Sequence, residues 1–246
     1  MSEDISAARA DLAPTGTLHV GINFANILLT ARDPVTRAPS GVALDLAHEF
    51  GKRLGVPVKI LHYESAGGLA EAAAKGEWQL GFLAIEPKRA NEITFTAAYV
   101  EIEATYLVPP GSAFKSVDEV DRAGVRISVT GKAAYDLYLT RTLKHATLFR
   151  TADAEATFKQ FVAEKMDALA GLKSQLEIDQ PKLPGSRILP GNFTAVLQAA
   201  GTPRGHEAGA RYLAAFIEDV KASGFVARAI EKHKIRGLTV APTAKP

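Results

Sequence analysis

Short apolar runs bounded by polar turns alternate along this chain with segments whose apolar residues recur every three or four positions. The runs predict buried strands at 18–23, 58–62, 79–84, 105–108, 126–129, 147–150, 168–171, 188–189 and 195–198. The spaced segments predict helices. Ala43, Leu46, Ala47, Phe50 and Leu54 form one face, which Gly55 and then Pro57 bring to a stop. Ala154, Phe158, Phe161 and Val162 form a second; Tyr212, Phe216 and Val220, flanked by Leu213 and Ile217, form a third. Ser116 and Glu119 have the spacing of a capping box. Strands alternating with helices in this way predict an α/β protein built on a largely parallel sheet. The ends, before Thr17 and after Leu238, are polar or rich in Pro and Ala and read as poorly ordered. No internal repeat or low-complexity segment interrupts the pattern.

Size and charge narrow the function classes. A chain of 246 residues is long for one core and comfortable for two packed units. A formal net charge of +2, with no Lys/Arg cluster, gives no basis for nucleic-acid binding. No apolar stretch approaches the roughly 20 residues of a membrane helix. With no cysteine there are no disulfides and no thiolate metal sites, which fits an extracytoplasmic or a cytoplasmic protein equally. The start, MSEDISAARADLAPTG, is acidic where a secretory leader is basic. Two expectations follow: a periplasmic protein whose leader has been removed, or a cytoplasmic one if Met1 is the native start.

The densest chemistry lies between Trp78 and Tyr99. The apolar run Leu80, Phe82, Leu83, Ala84, Ile85 stops at Glu86-Pro87, since proline cannot pair in a central strand and holds its predecessor extended. Arg89 then falls just beyond a strand's carboxyl end, where open α/β sheets bind ligands. A planar guanidinium there suits bidentate recognition of a carboxylate; the plain alternative is a loop arginine on the surface. Catalytic motifs are missing: no Gly-x-Ser-x-Gly, no His-Glu-x-x-His and no phosphate-binding glycine loop. The six histidines lack metal-ligand spacing, so no metal or other cofactor is expected.

The order strand, polar turn, Arg89, then Ile93-Thr94-Phe95-Thr96 and Tyr99 resembles family 3 extracytoplasmic solute-binding proteins, the receptors of ABC importers. Further segments match in sequence: 16–22, 41–47 with 53–56, 116–120 leading to 125–129, 165–169, and 224–227 on to Lys232. The resemblance implies an α/β fold of the type 2 periplasmic-binding-protein class: two lobes, two crossover strands, and an interlobe cleft that closes by a hinge on a small solute. It implies a discontinuous first lobe, 1–104 plus 199–246, and a second lobe, 105–198. It also implies a monomer that binds a small molecule and partners an ABC transporter permease.

Site residues follow from the same resemblance. Arg89 matches the family's carboxylate anchor, with Ala84 standing where Ser or Thr is usual and the segment about two residues short. Glu86, before Pro87, either receives a cationic ligand group or pairs with Arg89. Asn23, Phe24 and Asn26 follow the first strand; the asparagines equally close turns, and Phe24 is as well suited to the core. Lys132 and Ala133 occupy a strand-to-helix turn where the family has a hydroxyl residue, and the helix's first amides favour an anion. Tyr135, one turn on, is expected in the core. Leu172, or Lys173 in the alternative register, stands where amino-acid-binding members carry an aspartate for the ligand's ammonium. That subtraction favours a carboxylate lacking an α-ammonium, with Glu86 as the exception to watch. Two other functions share these features: a dehydratase-like enzyme using Glu86 as general acid, and a cytoplasmic ligand sensor acting on a protein partner.

Overall fold

The computed structural model describes residues 2–33 and 35–244, and these divide into two compact units, one from the segments up to 101 and from 197 onward and the other 102–196. In chain order the elements of the first segment are α1 (Ser2–Leu12), β1 (Leu18–Asn23), β2 (Ala31–Arg32), β3 (Pro39–Ser40), α2 (Val42–Leu54), β4 (Val58–Tyr63), α3 (Ala66–Ala73) and β5 (Leu80–Ala84). A single 16-residue strand, β6 (Ile93–Val108), carries the chain out of that unit. The second unit contains β7 (Arg126–Thr130), α4 (Ala134–Thr142), β8 (Thr147–Thr151), α5 (Ala154–Ala163), β9 (Ala168–Leu172), α6 (Lys173–Asp179) and β10 (Arg187–Ile188). β11 (Thr194–Pro203) returns, followed by α7 (Glu207–Ala222), α8 (Phe225–Lys232) and β12 (Thr239–Val240).

Unit 1 orders its strands β4-β1-β5-β11-β6. β1 is parallel to both β4 and β5, whereas β11 runs antiparallel to β5 through Gln198↔Ala84 to Gly201↔Gly81. β5 is buried along its whole length, which is why it reads as a continuous apolar run rather than an alternating one. α2 lays Val42, Leu46, Ala47, Phe50 and Leu54 into the core with β1 and α7. Gly55 ends it in the left-handed conformation, φ 73°, and its N–H returns to Lys52 O, the closure that glycine permits without strain. Unit 2 orders β6-β9-β7-β8; β7 is parallel to β8 and β9, and β9 is antiparallel to β6. Its core gathers Tyr106, Ile127, Val129, Leu139 and Ala170, with Tyr135 packed against them as expected.

Both chain ends depart from the sequence reading. α1 buries Ala8 and Leu12 completely. Polar anchors hold it: Arg9 Nε donates to Leu54 O at 2.9 Å, closing the end of α2, and Asp11 accepts the Gly209 amide at 2.9 Å and meets His206 Nδ1 at 2.8 Å. Gly209 has no side chain because Leu12 lies directly over it. At the other end β12 pairs with β6 at Glu101 and Val100, and Ala241 is buried. Lys221, its side chain 1% exposed, donates from Nζ to Ala98 O (3.1 Å) and Pro242 O (3.0 Å) and pairs with Glu218 at 2.7 Å.

The capping-box expectation is corrected too. Ser116 makes no side-chain cap, and 117–119 is one 3-10 turn. Glu119 reaches past it to the Lys115 amide at 2.7 Å. A stronger anchor lies just after: Asp121 accepts the amides of Lys144, His145 and Ala146 at 2.9, 2.8 and 2.9 Å. Burial opposes its ionisation, but the three amides outweigh burial and hold the carboxyl below its usual range. A lowered folded pKa adds stability above the unfolded value that is lost as pH falls through the folded one. Asp121→Asn should therefore lower stability at neutral pH by about 1–3 kcal/mol and flatten the loss of stability below about pH 4, read by urea melts across the acid range.

Candidate functional site

The parallel strands of unit 1 bring three predicted residues to one edge of the sheet. β1 ends at Asn23 and pairs there with Tyr63 of β4; β5 ends at Ala84, and the Glu86-to-Arg89 turn follows directly. Arg89 opens a 3-10 turn, 89–91, set by Ala90 N–H to Glu86 O (2.9 Å) and Glu92 N–H to Arg89 O (3.1 Å). Both charged residues are 5% exposed. Arg89 Nη1 donates to Ala84 O at 2.9 Å, so the guanidinium closes the last carbonyl of the strand it follows. Burial lowers its pKa to about 10, against the attraction of Glu86, which favours the charged form. Arg89 is thus a buried cation with a buried carboxylate beside it, not a loop arginine in water.

The other unit 1 candidates are turn and packing residues in this structure. Asn23 Oδ1 accepts the Ala25 amide at 3.0 Å and Asn26 Oδ1 the Leu28 amide at 3.2 Å, both closing Asx turns. Phe24 stacks on His62, ring centroids 4.4 Å apart and 18° from parallel, and Arg32 lies 4.5 Å from its centroid. Burial, then Arg32, lowers the His62 pKa, favouring the neutral ring. Asn23, Asn26, Thr30 and Gln198 share a cavity of about 10 Å³ with Ile22 and Phe82, room for about one water molecule. Gln198, 6% exposed and opposite Ala84 in the β11–β5 ladder, is a buried polar residue outside the sequence-derived candidates. An isolated glutamine amid apolar neighbours was the available signal.

Unit 2 collects Lys132, Ala133, Leu172 and Lys173 at the carboxyl ends of the neighbouring strands β7 and β9. The turn that leads into α4 has a partner within its own unit. The first residue before the α4 cap, Lys132, already gives its amide to Asp136 Oδ2 at 2.8 Å. Asp136 is 2% exposed and also accepts Arg150 Nε at 2.9 Å. A carboxylate of the protein itself therefore holds part of this turn, and Lys132 adopts φ 62°, unusual outside glycine. Ala133 caps α4 without a side-chain bond, and the Lys132 side chain is exposed. Asp136 and Arg150 lay outside the sequence reading, since nothing in a lone Asp or Arg marks their meeting.

Leu172 is half-buried at the cap of α6 and brings no charge to its position. Lys173 Nζ donates to Glu103 Oε2 at 2.7 Å, and that bond raises the lysine pKa and lowers the glutamate's. Lys173 is thus committed to a carboxylate of its own unit. Among the described residues no cluster of His, Cys, Asp and Glu has the grouping to hold a metal ion, and no helix is long and apolar enough to cross a membrane.

Solved structures share the fold. The solute receptor for L-cysteine of Neisseria gonorrhoeae superposes with a TM-score of 0.78 at 19% identity, covering 96% of this chain and 99% of its own. An amino acid ABC transporter substrate-binding protein from Streptococcus pneumoniae, bound to L-arginine, gives 0.74 at 18% identity over 96% and 99%. The ancestral amino acid-binding protein AncCDT-1, a precursor of cyclohexadienyl dehydratase, gives 0.73 at 20% identity over 90% and 97%. No curated protein matches the chain in sequence. The fold is the two-lobed α/β architecture of periplasmic binding proteins. The sequence profile of the bacterial extracellular solute-binding proteins, family 3, matches residues 18–235, and the chain belongs to that family.

Proposed function

We propose that the protein captures a small carboxylate-bearing solute in the periplasm and delivers it to the permease of an ABC importer. The observation that carries the reading is Arg89: a buried guanidinium just beyond the carboxyl end of β5, which the resemblance matches to the family's arginine. Guanidinium and carboxylate match in bidentate geometry, and low dielectric strengthens the pair. The transporter part draws on family membership and on structural neighbours that are ABC transporter substrate-binding proteins.

Native mass spectrometry of freshly purified protein tests the ligand class. The expected result is a co-purified small carboxylate, released on mild unfolding and taken up again on refolding. A bound molecule without a carboxyl group would overturn the reading. Its conversion to product during incubation would instead favour an enzyme of the same fold, with Glu86 as the acid.

A further inference from the structure

A groove of about 330 Å³ runs between α2 and α8 of unit 1, and none of its lining residues is a site candidate above. Its volume suits a small molecule. α2 brings Asp45, Glu49 and Lys52 to it and α8 brings Arg228 and Lys232, residues three or four apart and so on one face of each helix. Both carboxylates are already engaged. Asp45 accepts Lys232 Nζ at 3.0 and 2.9 Å and meets His233 Nε2 at 2.9 Å, and Glu49 accepts Arg53 Nε at 2.8 Å. The Asp45–Lys232 pair sets the start of α2 beside the end of α8, so Lys52 and Arg228 share the other half of the groove. Both are exposed, and neither meets a carboxylate among the described residues. Arg228 gives one N–H to Ser223 O at 2.9 Å, and its other donors have no partner there. Two uncompensated cations in one concavity repel each other and focus a positive potential on it.

We propose that the α2–α8 groove is a second binding site, for a phosphoryl dianion held between the Arg228 guanidinium and the Lys52 ammonium. Charge selects the class: a phosphate monoester carries close to two negative charges at neutral pH, which matches two cations, whereas a single carboxylate leaves one of them unmet. Geometry agrees, because a guanidinium fork takes two phosphoryl oxygens side by side and an ammonium takes the third as a point charge. His48, exposed on the same face of α2, adds a ring N–H to the wall. The pairing of Asp45 with Lys232 and of Glu49 with Arg53 keeps the two carboxylates from repelling the anion in full. The site uses no residue of the Arg89 edge, so it stands or falls apart from the solute-capture reading.

Titration of the whole protein with inorganic phosphate at constant ionic strength, followed by amide chemical shifts, tests the site. Amides at 48–52 and 225–229 should move together and saturate. Lys52→Gln/Arg228→Gln should weaken that binding by about tenfold or more, and acetate should bind wild type about tenfold more weakly than phosphate. Both side chains are exposed, so the double variant should melt within a few degrees of wild type; the acetate comparison needs no variant at all. Two further probes separate the sources of the phosphoryl group. Tighter binding of glycerol 1-phosphate than of inorganic phosphate supports a soluble monoester. Co-sedimentation with phosphatidylcholine vesicles only when they contain phosphatidic acid, lost in the double variant, supports a lipid headgroup. Shifts scattered over the surface that never saturate would overturn the proposal, as would phosphate binding retained in the double variant. Acetate binding as tightly as phosphate would overturn the assignment to a dianion.

Discussion

Arg89→Ala should lose ligand binding by about 2–5 kcal/mol, the range for removing one partner of a desolvated, charge-assisted contact. It should also lose stability. On sequence alone a strand-end arginine implies a variant that folds normally, but burial changes that expectation. The substitution removes the buried cation that attracts Glu86, itself 5% exposed, and takes a donor from Ala84 O. Breaking a buried pair on one side typically destabilises by about 3–5 kcal/mol. Removing both partners avoids the orphaned charge, so Arg89→Ala/Glu86→Ala should recover most of the stability and none of the binding. Calorimetry with the co-purified ligand and urea melts of the three variants separate the two effects. Binding by Arg89→Ala within a factor of a few of wild type would make the arginine purely structural.

The second large effect is expected far from that edge. Lys221→Met keeps the aliphatic stem but removes the ammonium that gathers Ala98 O, Pro242 O and Glu218. Three buried or half-buried acceptors lose their donor together, and the expected loss is about 2–4 kcal/mol. Because Lys221 holds the segment after β12, amide exchange should rise most at 239–244 and at Tyr99 to Glu101 of β6, its partner in the ladder. An unchanged melting curve would show that β12 holds itself in place.

What the sequence makes legible is whatever local pattern encodes. β1 and β5 announce themselves as apolar runs, and the stop of α2 is written in Gly55 and Pro57. β6 is harder: its longest uniformly buried run is its end, 104–108, and before that buried, half-buried and exposed positions mix without a clean period. α1 carries no strong apolar stripe; two buried residues and the polar anchors Arg9 and Asp11 fix it, and their partners lie about 45 and 195 residues away in sequence. The position of Arg89 was readable from Pro87 and the run before it. Its burial was not, because burial depends on chain segments distant in sequence, as where β11 arrives beside β5. The same holds for Asp136, whose partner Arg150 comes from the next strand.

That arrival has a consequence for the order in which the chain assembles. Residues 102–196 are contiguous, so unit 2 has all its strands once they have left the ribosome. Unit 1 does not: its sheet places β11 between β5 and β6, and β11 is made more than a hundred residues after β5. Until then the buried strand β5 has an unfilled edge, a template for wrong pairing. Late closure by distant contacts is also slow, since the long loop must be ordered before the ladder rewards it. A nascent chain stalled when Val196 has just left the ribosome should therefore protect unit 2 from protease while 1–101 remains cleavable. Release of the last fifty residues is the step that completes the Arg89 edge.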